Sequence, residues 1–474
     1  MILRLALRSL STRPVRTIIL ACGFGLGVAV MAILLGIGEV ILDQARSPAL
    51  QGGGDVVISG AFGAVDSARL VLSSVLGAGN IRARVRAMSP SKHSTLYLIT
   101  PKRTWVVTAR GGVPSLEKAI GDPETGGRAG WIDAPSDRAW AAPDAGDVLR
   151  TLDRFHPPPD VPEFAASWAE WLYFNGRTAD GPRFYLTFLV GPSTRPGKRS
   201  AVVRLQLERE GKTTNYSTTG EVDEQTVLAG APDLDVGDSH VRLAGLRYRI
   251  ALQLTAERNA GTASTAGNRA SRLTGNLTLD AAPGRSLPPT VMHGARGWLS
   301  GYVVPVLSGT IRGALDIDGH TVPLDNMSGY HDHNWGFWQG VRWQWGQVAH
   351  DDLSFVYGRV FPPANVADPE RVPGFLGVLG PDGPLGVSTD VSIVERDAGG
   401  RPQQVDITAR GNGVDVRLVL SVDRAIRSDL QAASTAGALT DFLQLSGVYR
   451  VTGHAGDRRI DFTAQGAAET FRER

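Results

Sequence analysis

Leu246, Tyr248, Ile250, Leu252 and Leu254 alternate with Arg247, Arg249, Ala251, Gln253 and Thr255. A period of two is that of a strand with one buried face. The alternation recurs in Val203, Leu205 and Leu207, in Leu273, Leu277 and Leu279, in Ile311, Leu315 and Ile317, and in Val414, Val416, Leu418 and Leu420. Glycines and Asp-Gly pairs such as Asp318-Gly319 and Asp382-Gly383 punctuate these segments, as hairpin turns require. Residues 95–100 and 104–108 read as short strands, and residues 114–120 as a short helix. The pattern predicts a mainly β, antiparallel protein. It contains no strand-helix alternation of the kind that builds a parallel sheet, and no G-x-G-x-x-G or P-loop motif, so nucleotide binding has no support.

One segment breaks the β pattern. Residues 17–38 carry no charge, and as a helix they extend roughly 33 Å at about 1.5 Å per residue, enough to cross a bilayer. Arg4, Arg8, Arg13 and Arg16 precede the run, whereas Glu39 and Asp43 are the first charges after it. The positive-inside bias therefore predicts a single-pass protein of a bacterial-type inner membrane, with its N-terminus cytoplasmic and everything after residue 43 extracytoplasmic or periplasmic. A cleaved signal peptide is the alternative, but the apolar core exceeds the usual ~7–15 residues. Gly23 and Gly27 lie on one face of this helix, which permits close approach of another membrane helix.

Composition narrows the function classes. With 49 Lys+Arg against 47 Asp+Glu the net charge is +2, so there is no basic field for nucleic acid. Cys22, the single cysteine, lies inside the apolar run, and the remainder must be held by packing without disulfides. The chain of 474 residues exceeds what one core accommodates. The expected organisation is an Arg-rich start and membrane helix over 1–43, a membrane-proximal region over 44–155, a first β-module over 156–325 and a second over 326–474. Residues 156–162, with three consecutive prolines, read as a stiff linker, and residues 259–272 as a flexible loop.

Candidate chemistry is concentrated in two clusters. Tyr330, His331, Asp332, His333, Asn334, Trp335 and Gly336 place a carboxylate, two imidazoles, an amide and an indole in one segment, followed closely by Trp338, Trp343 and Trp345. Few proton-handling groups among large aromatic surfaces suit an apolar ligand. The second cluster runs from Trp168 through Glu170, Trp171, Leu172, Tyr173, Phe174 and Asn175 to Arg177. Both faces of this strand carry bulk, as expected of a barrel strand buried on one side and covered by a second module on the other.

Glu170, Trp171, Leu172, Tyr173 and Phe174 resemble the E-W-W-Y-F opening of the AttH-like and carotenoid 1,2-hydratase (hydroxyneurosporene synthase, CrtC-like) families. The segment from Tyr330 to Gly336 resembles their H-D-H-N-W-G signature, and residues 302–310, with Pro305, resemble the strand before it. The resemblance spans roughly residues 150–474. It implies two consecutive lipocalin-like antiparallel β-barrels and an isoprenoid-like apolar ligand, with no metal and no cofactor. Separately, residues 5–10 and the glycine-rich span to Val57 resemble the first helix of MacB/FtsX-type ABC transporter permeases, although no further long uncharged span follows.

Adding water to an alkene needs an acid that protonates carbon, a surface that tolerates a cation, and a positioned water. Asp332 is the candidate acid, provided an apolar pocket keeps it protonated. Tyr330, His331 and His333 complete the candidate catalytic set, the histidines as holders of water. Trp335, Trp338, Asn334, Trp171 and Tyr173 are the candidate ligand contacts. Strand parity divides the set. In an uninterrupted strand Tyr330, Asp332, Asn334 and Trp338 point one way and His331, His333 and Trp335 the other, unless a bulge near Gly336 intervenes. His331 and His333 on one face, joined by His350, would also suit a zinc site, and a satisfied hydrogen-bond network with an architectural role is the plainer alternative.

The sequence leaves three functional readings open. The first is a tethered carrier of a large lipid or isoprenoid-like molecule, working beside ABC transporter subunits. The second is a cofactor-free hydro-lyase or isomerase on an isoprenoid alkene. The third is a structural or interaction module with no ligand.

Overall fold

The computed structural model describes residues 14–46, 56–59, 65, 67–77, 83–122, 130–141, 143–178, 181–257, 270–282, 284–381, 383–428 and 440–473. Arg4, Arg8, Arg13, the permease-like residues 5–10 and 52–55, most of the loop expected at 259–272, and Asp382 lie outside them. In chain order the helices are α1 (Pro14–Arg46), α2 (Ala68–Gly77), α3 (Pro114–Ala119), α4 (Arg138–Ala141), α5 (Ala145–Leu152) and α6 (Glu224–Gly230).

Two compact units divide the chain, one of residues 1–64 and 85–141, the other of residues 65–84 and 142–474. In the first unit, α1 runs for 33 residues. Its described side chains are continuous only over residues 22–34, and among the described residues no helix is long and apolar enough to cross a membrane. Strands β1 (Ser91–Ile99) and β2 (Thr104–Gly112) form the expected hairpin. Arg110 of β2 pairs with the buried Glu117 of α3 and with Asp122, which fastens the helix to the hairpin.

The second unit holds the two β-modules. Its first strands are β3 (Trp168–Arg177), β4 (Arg183–Arg195), β5 (Lys198–Arg209), β6 (Lys212–Asp223), β7 (Leu234–Val236), β8 (Ser239–Ala244) and β9 (Arg247–Ala256). Then follow β10 (Arg272–Ala281), β11 (Leu287–His293), β12 (Leu299–Ile317), β13 (His320–Pro323) and β14 (Met327–Phe337). Eight of these close into a barrel in the order β3, β4, β5, β6, β9, β10, β12, β14, and β14 returns to β3. An eight-stranded barrel is just wide enough to be filled by its own side chains. Phe174, Phe184, Phe188, Leu205, Tyr248, Leu252, Leu277 and Leu315 fill this one.

The second sheet comprises β15 (Arg342–His350), β16 (Leu353–Phe361), β17 (Phe375–Gly380), β18 (Gly383–Ser388), β19 (Asp390–Ala398), β20 (Arg401–Gly411), β21 (Val414–Ser428), β22 (Thr440–Ala455) and β23 (Arg458–Glu473). Their order is β18, β17, β16, β15, β23, β22, β21, β20, β19, which curls into a half-barrel around Phe355, Tyr357, Ile407, Leu418, Tyr449 and Val451. The protein is mainly β, as the period-two pattern requires.

Two expectations change. The motif strand, assigned by sequence to the module starting at 326, belongs to the first sheet, because the barrel needs β14 between β12 and β3 to close. The stretch read as a linker is docked: His156 stacks on Trp335 at 3.9 Å and its backbone N–H donates to Glu170. Pro305, which has no N–H to give, sits where the β12 register shifts between Val303 and Val306.

Candidate functional site

β14 pairs with β3 in unbroken register from Ser328 opposite Arg177 to Phe337 opposite Trp168. The motif therefore keeps strand parity through Gly336, and its two faces enter different surroundings. Gly336, at φ 141°, adopts a backbone open to glycine, and a Cβ there would meet the backbone of Leu299 and Ser300.

His331, His333 and Trp335 turn inward. The His331 ring stacks on Phe174 at 4.1 Å, and its nitrogens face the Tyr173 carbonyl and Asp153 Oδ2, each at 2.9 Å. His333 bridges Asp153 Oδ1 at 2.8 Å and Glu170 Oε1 at 2.9 Å. Asp153 also accepts from the Tyr248 hydroxyl at 2.7 Å. Glu170 accepts from His156, whose side chain is the one partly exposed member. Burial opposes ionisation of His333, Asp153 and Glu170, but their mutual hydrogen bonds prevail. They push His333 up to about 9 and hold Asp153 and Glu170 below the usual carboxylate range, despite the cost of desolvating them. Trp335 packs with Trp168, Trp298 and Phe337 at the barrel end. Gly301 stands opposite it, where any Cβ would strike the indole.

His331, His333 and Trp335, nominated with Asp332 but divided from it by strand parity, lie on the other side of the sheet, with no bulge to bring them together. All four ring nitrogens of His331 and His333 are hydrogen-bonded, to Tyr173, Asp153 and Glu170. His350 does not join them: it stacks on Phe462 in the second sheet. Among the described residues the set able to surround a cation is instead His156, Glu170 and His333, whose ligand atoms lie within 4.8 Å of one another. The distances of 2.8 Å and 2.9 Å to the shared Glu170 oxygen are those of hydrogen bonds.

Tyr330, Asp332 and Asn334 face outward, into a seam between the barrel and the curled sheet. Trp345 Nε1 donates to the Tyr330 hydroxyl at 2.8 Å, Tyr330 donates to Asp332 Oδ2 at 2.9 Å, and Asn334 donates to Asp332 Oδ1 at 2.6 Å. Asp332 is 5 % exposed. Burial, then the Glu469 carboxylate, push it well above the usual carboxylate range against those two hydrogen bonds. Glu469, on β23 opposite Trp345, is pushed up to about 7 by burial despite hydrogen bonds with Tyr173 and Trp343. Its Oε1 is sealed from solvent without a partner, as is Nε2 of Gln347 on β15.

Aromatic rings line the same seam. Trp171 lies 4.4 Å from Trp338, Trp338 lies 5.8 Å from Trp343, and Trp343 stacks on Phe471 at 4.4 Å. Tyr302 stacks on Phe375 and meets Trp345 edge-on, each at 5.1 Å. Of the residues nominated from sequence, Asp332, Tyr330, Asn334, Trp338, Trp171 and Tyr173 thus converge on one seam. Glu469, Trp343 and Trp345 complete it. The last two belong to the tryptophan cluster visible in the sequence, but Glu469 sits in a C-terminal strand without any motif and is placed only by the pairing of β23 with β15.

No family model and no curated protein matches the chain. Its fold is similar to that of an AttH candidate from Nitrosomonas europaea, with 15% identity and a TM-score of 0.42 over 67% of this chain and 96% of that one. It is also similar to kievitone hydratase from Nectria haematococca, with 14% identity and a TM-score of 0.39 over 67% and 96% of the two chains. A third similarity is to CghA with Sch210972, with 10% identity and a TM-score of 0.39 over 68% and 94%.

Proposed function

We propose that this chain is a cofactor-free hydro-lyase that adds water to an apolar alkene held in the seam, with Asp332 as acid and Glu469 as base. The observation that carries the reading is that two carboxyl groups, the buried Asp332 and the part-buried Glu469, are both displaced upward and meet in one aromatic-lined seam. Neighbouring acids whose surroundings tune them differently suit opposite proton roles. Asp332 delivers its proton to one alkene carbon as the π bond breaks. The cation at the other carbon faces Trp345, Trp343 and Trp171, whose ring surfaces stabilise it. A water oxygen attacks that carbon and its proton passes to Glu469, which is partly ionised near neutral pH. Return of a proton from Glu469 to Asp332 through solvent resets the site, so the net change is one water added. Tyr330 and Asn334 fix the Asp332 carboxyl plane, and Trp345 fixes Tyr330.

The test is incubation of the full chain in detergent micelles with acyclic isoprenoid alkenes in heavy-oxygen water. Product heavier by one labelled water, lost in Asp332→Asn, supports the reading. Binding without conversion would assign the same seam to a carrier. We further infer that α1 tethers the protein at an inner membrane, on the support of the uncharged residues 17–38 and the arginines before them. Release of the full chain from membranes by alkaline carbonate would contradict the tether.

A further inference from the structure

The seam has a second pole. Arg177 shares a face of β3 with Trp171, Tyr173 and Asn175, and at about 3.3 Å per residue some 20 Å separates Trp171 from Arg177. Across this span Tyr173 stands opposite Asp332 and Asn175 opposite Tyr330. The groups that act electrostatically on Arg177 are Tyr185, Tyr449 and Arg183, and among the described residues no carboxylate pairs with it. Burial pulls its pKa down, and no acid offsets this.

The surroundings add positive charge. Arg183, opposite Arg177 on β4, donates to the Ser446 hydroxyl at 2.6 Å. Glu208, the neighbouring carboxylate, is engaged by Arg424 at 3.3 Å. Arg183 and Arg424 both act on Glu208, while among the described residues Arg177 has no carboxylate of its own; the tryptophans occupy the other end, and Asp332 and Glu469 lie between. A half-buried guanidinium without a counter-ion is costly to leave unpaired. A planar carboxylate matches its fork of donors.

The geometry points to an elongated ligand with an apolar, unsaturated body against Trp171, Trp338 and Trp343 and a carboxylate head at Arg177 and Arg183. The inference deepens the hydro-lyase reading, on which the reacting double bond lies about 13 Å along the strand from the head, the rise of residues 173–177. The nitrogen of Gln347 and the sealed oxygen of Glu469, both without partners, supply further polar contacts along the body.

The experiment follows tryptophan quenching of the full chain in detergent micelles by retinoic acid and by its methyl ester, at about pH 8 and low salt. The expected result is that the acid binds at least about tenfold more tightly than the ester. Arg177→Gln should remove that preference while leaving the ester's affinity unchanged. Arg177→Lys, which keeps the charge but not the fork, should restore part of it. Equal binding of acid and ester by the wild type, or binding of neither, overturns the inference. So does an Arg177→Gln variant that melts like wild type and weakens both ligands alike. Should Arg177→Gln fail to fold, the acid-to-ester ratio of the wild type and its fall with salt decide the matter. An acid preference that persists when Asp332→Asn leaves hydration intact would overturn the hydro-lyase reading alone. Hydration without an acid preference would overturn only the present inference.

Discussion

The two faces of β14 carry similar residues and arrive at opposite electrostatics. On the barrel side, Asp153 and Glu170 are held below the usual carboxylate range, against burial, by the histidines they bond, and each accepts several hydrogen bonds. On the seam side, Asp332 has only neutral donors in Tyr330 and Asn334 and meets a second carboxylate in Glu469. Burial is nearly complete in both places, so the difference comes from the partner's charge. A buried acid beside imidazoles becomes a structural ion, whereas one beside another acid retains its proton and can donate it.

The contrast can be broken first on the barrel side. Asp153→Ala leaves two imidazoles and the Tyr248 hydroxyl without their acceptor, and should cost about 3–5 kcal/mol in urea unfolding. A loss below about 1 kcal/mol would show that the network holds nothing together. Asp332→Asn should do the reverse: stability within about 1 kcal/mol of wild type and alkene hydration down about 100-fold or more, measured by initial rates.

The pH dependence of stability sharpens the comparison with a smaller effect. His333 rises from about 6.5 unfolded to about 9 folded, so its contribution is whole below about 6.5 and disappears as pH climbs through 9. Glu469 is also raised, to about 7, so its burial costs stability progressively from about pH 4.5 to 7. Asp153 and Glu170, both depressed, contribute stability that is present above about pH 4.5 and lost as acid is added. Melting temperature should therefore peak in mildly acidic buffer and decline on the alkaline side. Glu469→Gln should melt a few degrees above wild type at about pH 8 and level with it at about pH 5; parallel curves for the two proteins would contradict the displacement of Glu469. The mildest expected effect is that of Trp171→Leu, about a fivefold weaker grip on an isoprenoid probe, read by quenching titration.

Much of this was legible from alternation alone. Strands β5, β9, β10, β12 and β21 contain the alternating segments, and strand parity alone separates Tyr330, Asp332 and Asn334 from His331, His333 and Trp335. The seam depends on pairings remote in sequence. Glu469 faces Tyr173 because β23 lies beside β15 and the curled sheet covers β3, and no local pattern encodes that. Asp153 looks like a helix-end acid and His156 like the start of a proline linker; both became network members only when the chain entering β3 folded across the barrel end. A division at residue 326 separates β14 from its sheet for a related reason: closure of the first sheet requires its eighth strand from beyond β12 and β13.

The central claim is that Asp332 holds its proton near neutral pH. Infrared difference spectroscopy between wild type and Asp332→Asn in deuterated buffer reads the carboxyl group directly. The account predicts a protonated-carboxyl band at about pH 7 that is absent from the variant. A wild-type spectrum in which Asp332 is already an ionised carboxylate at about pH 6 would contradict it.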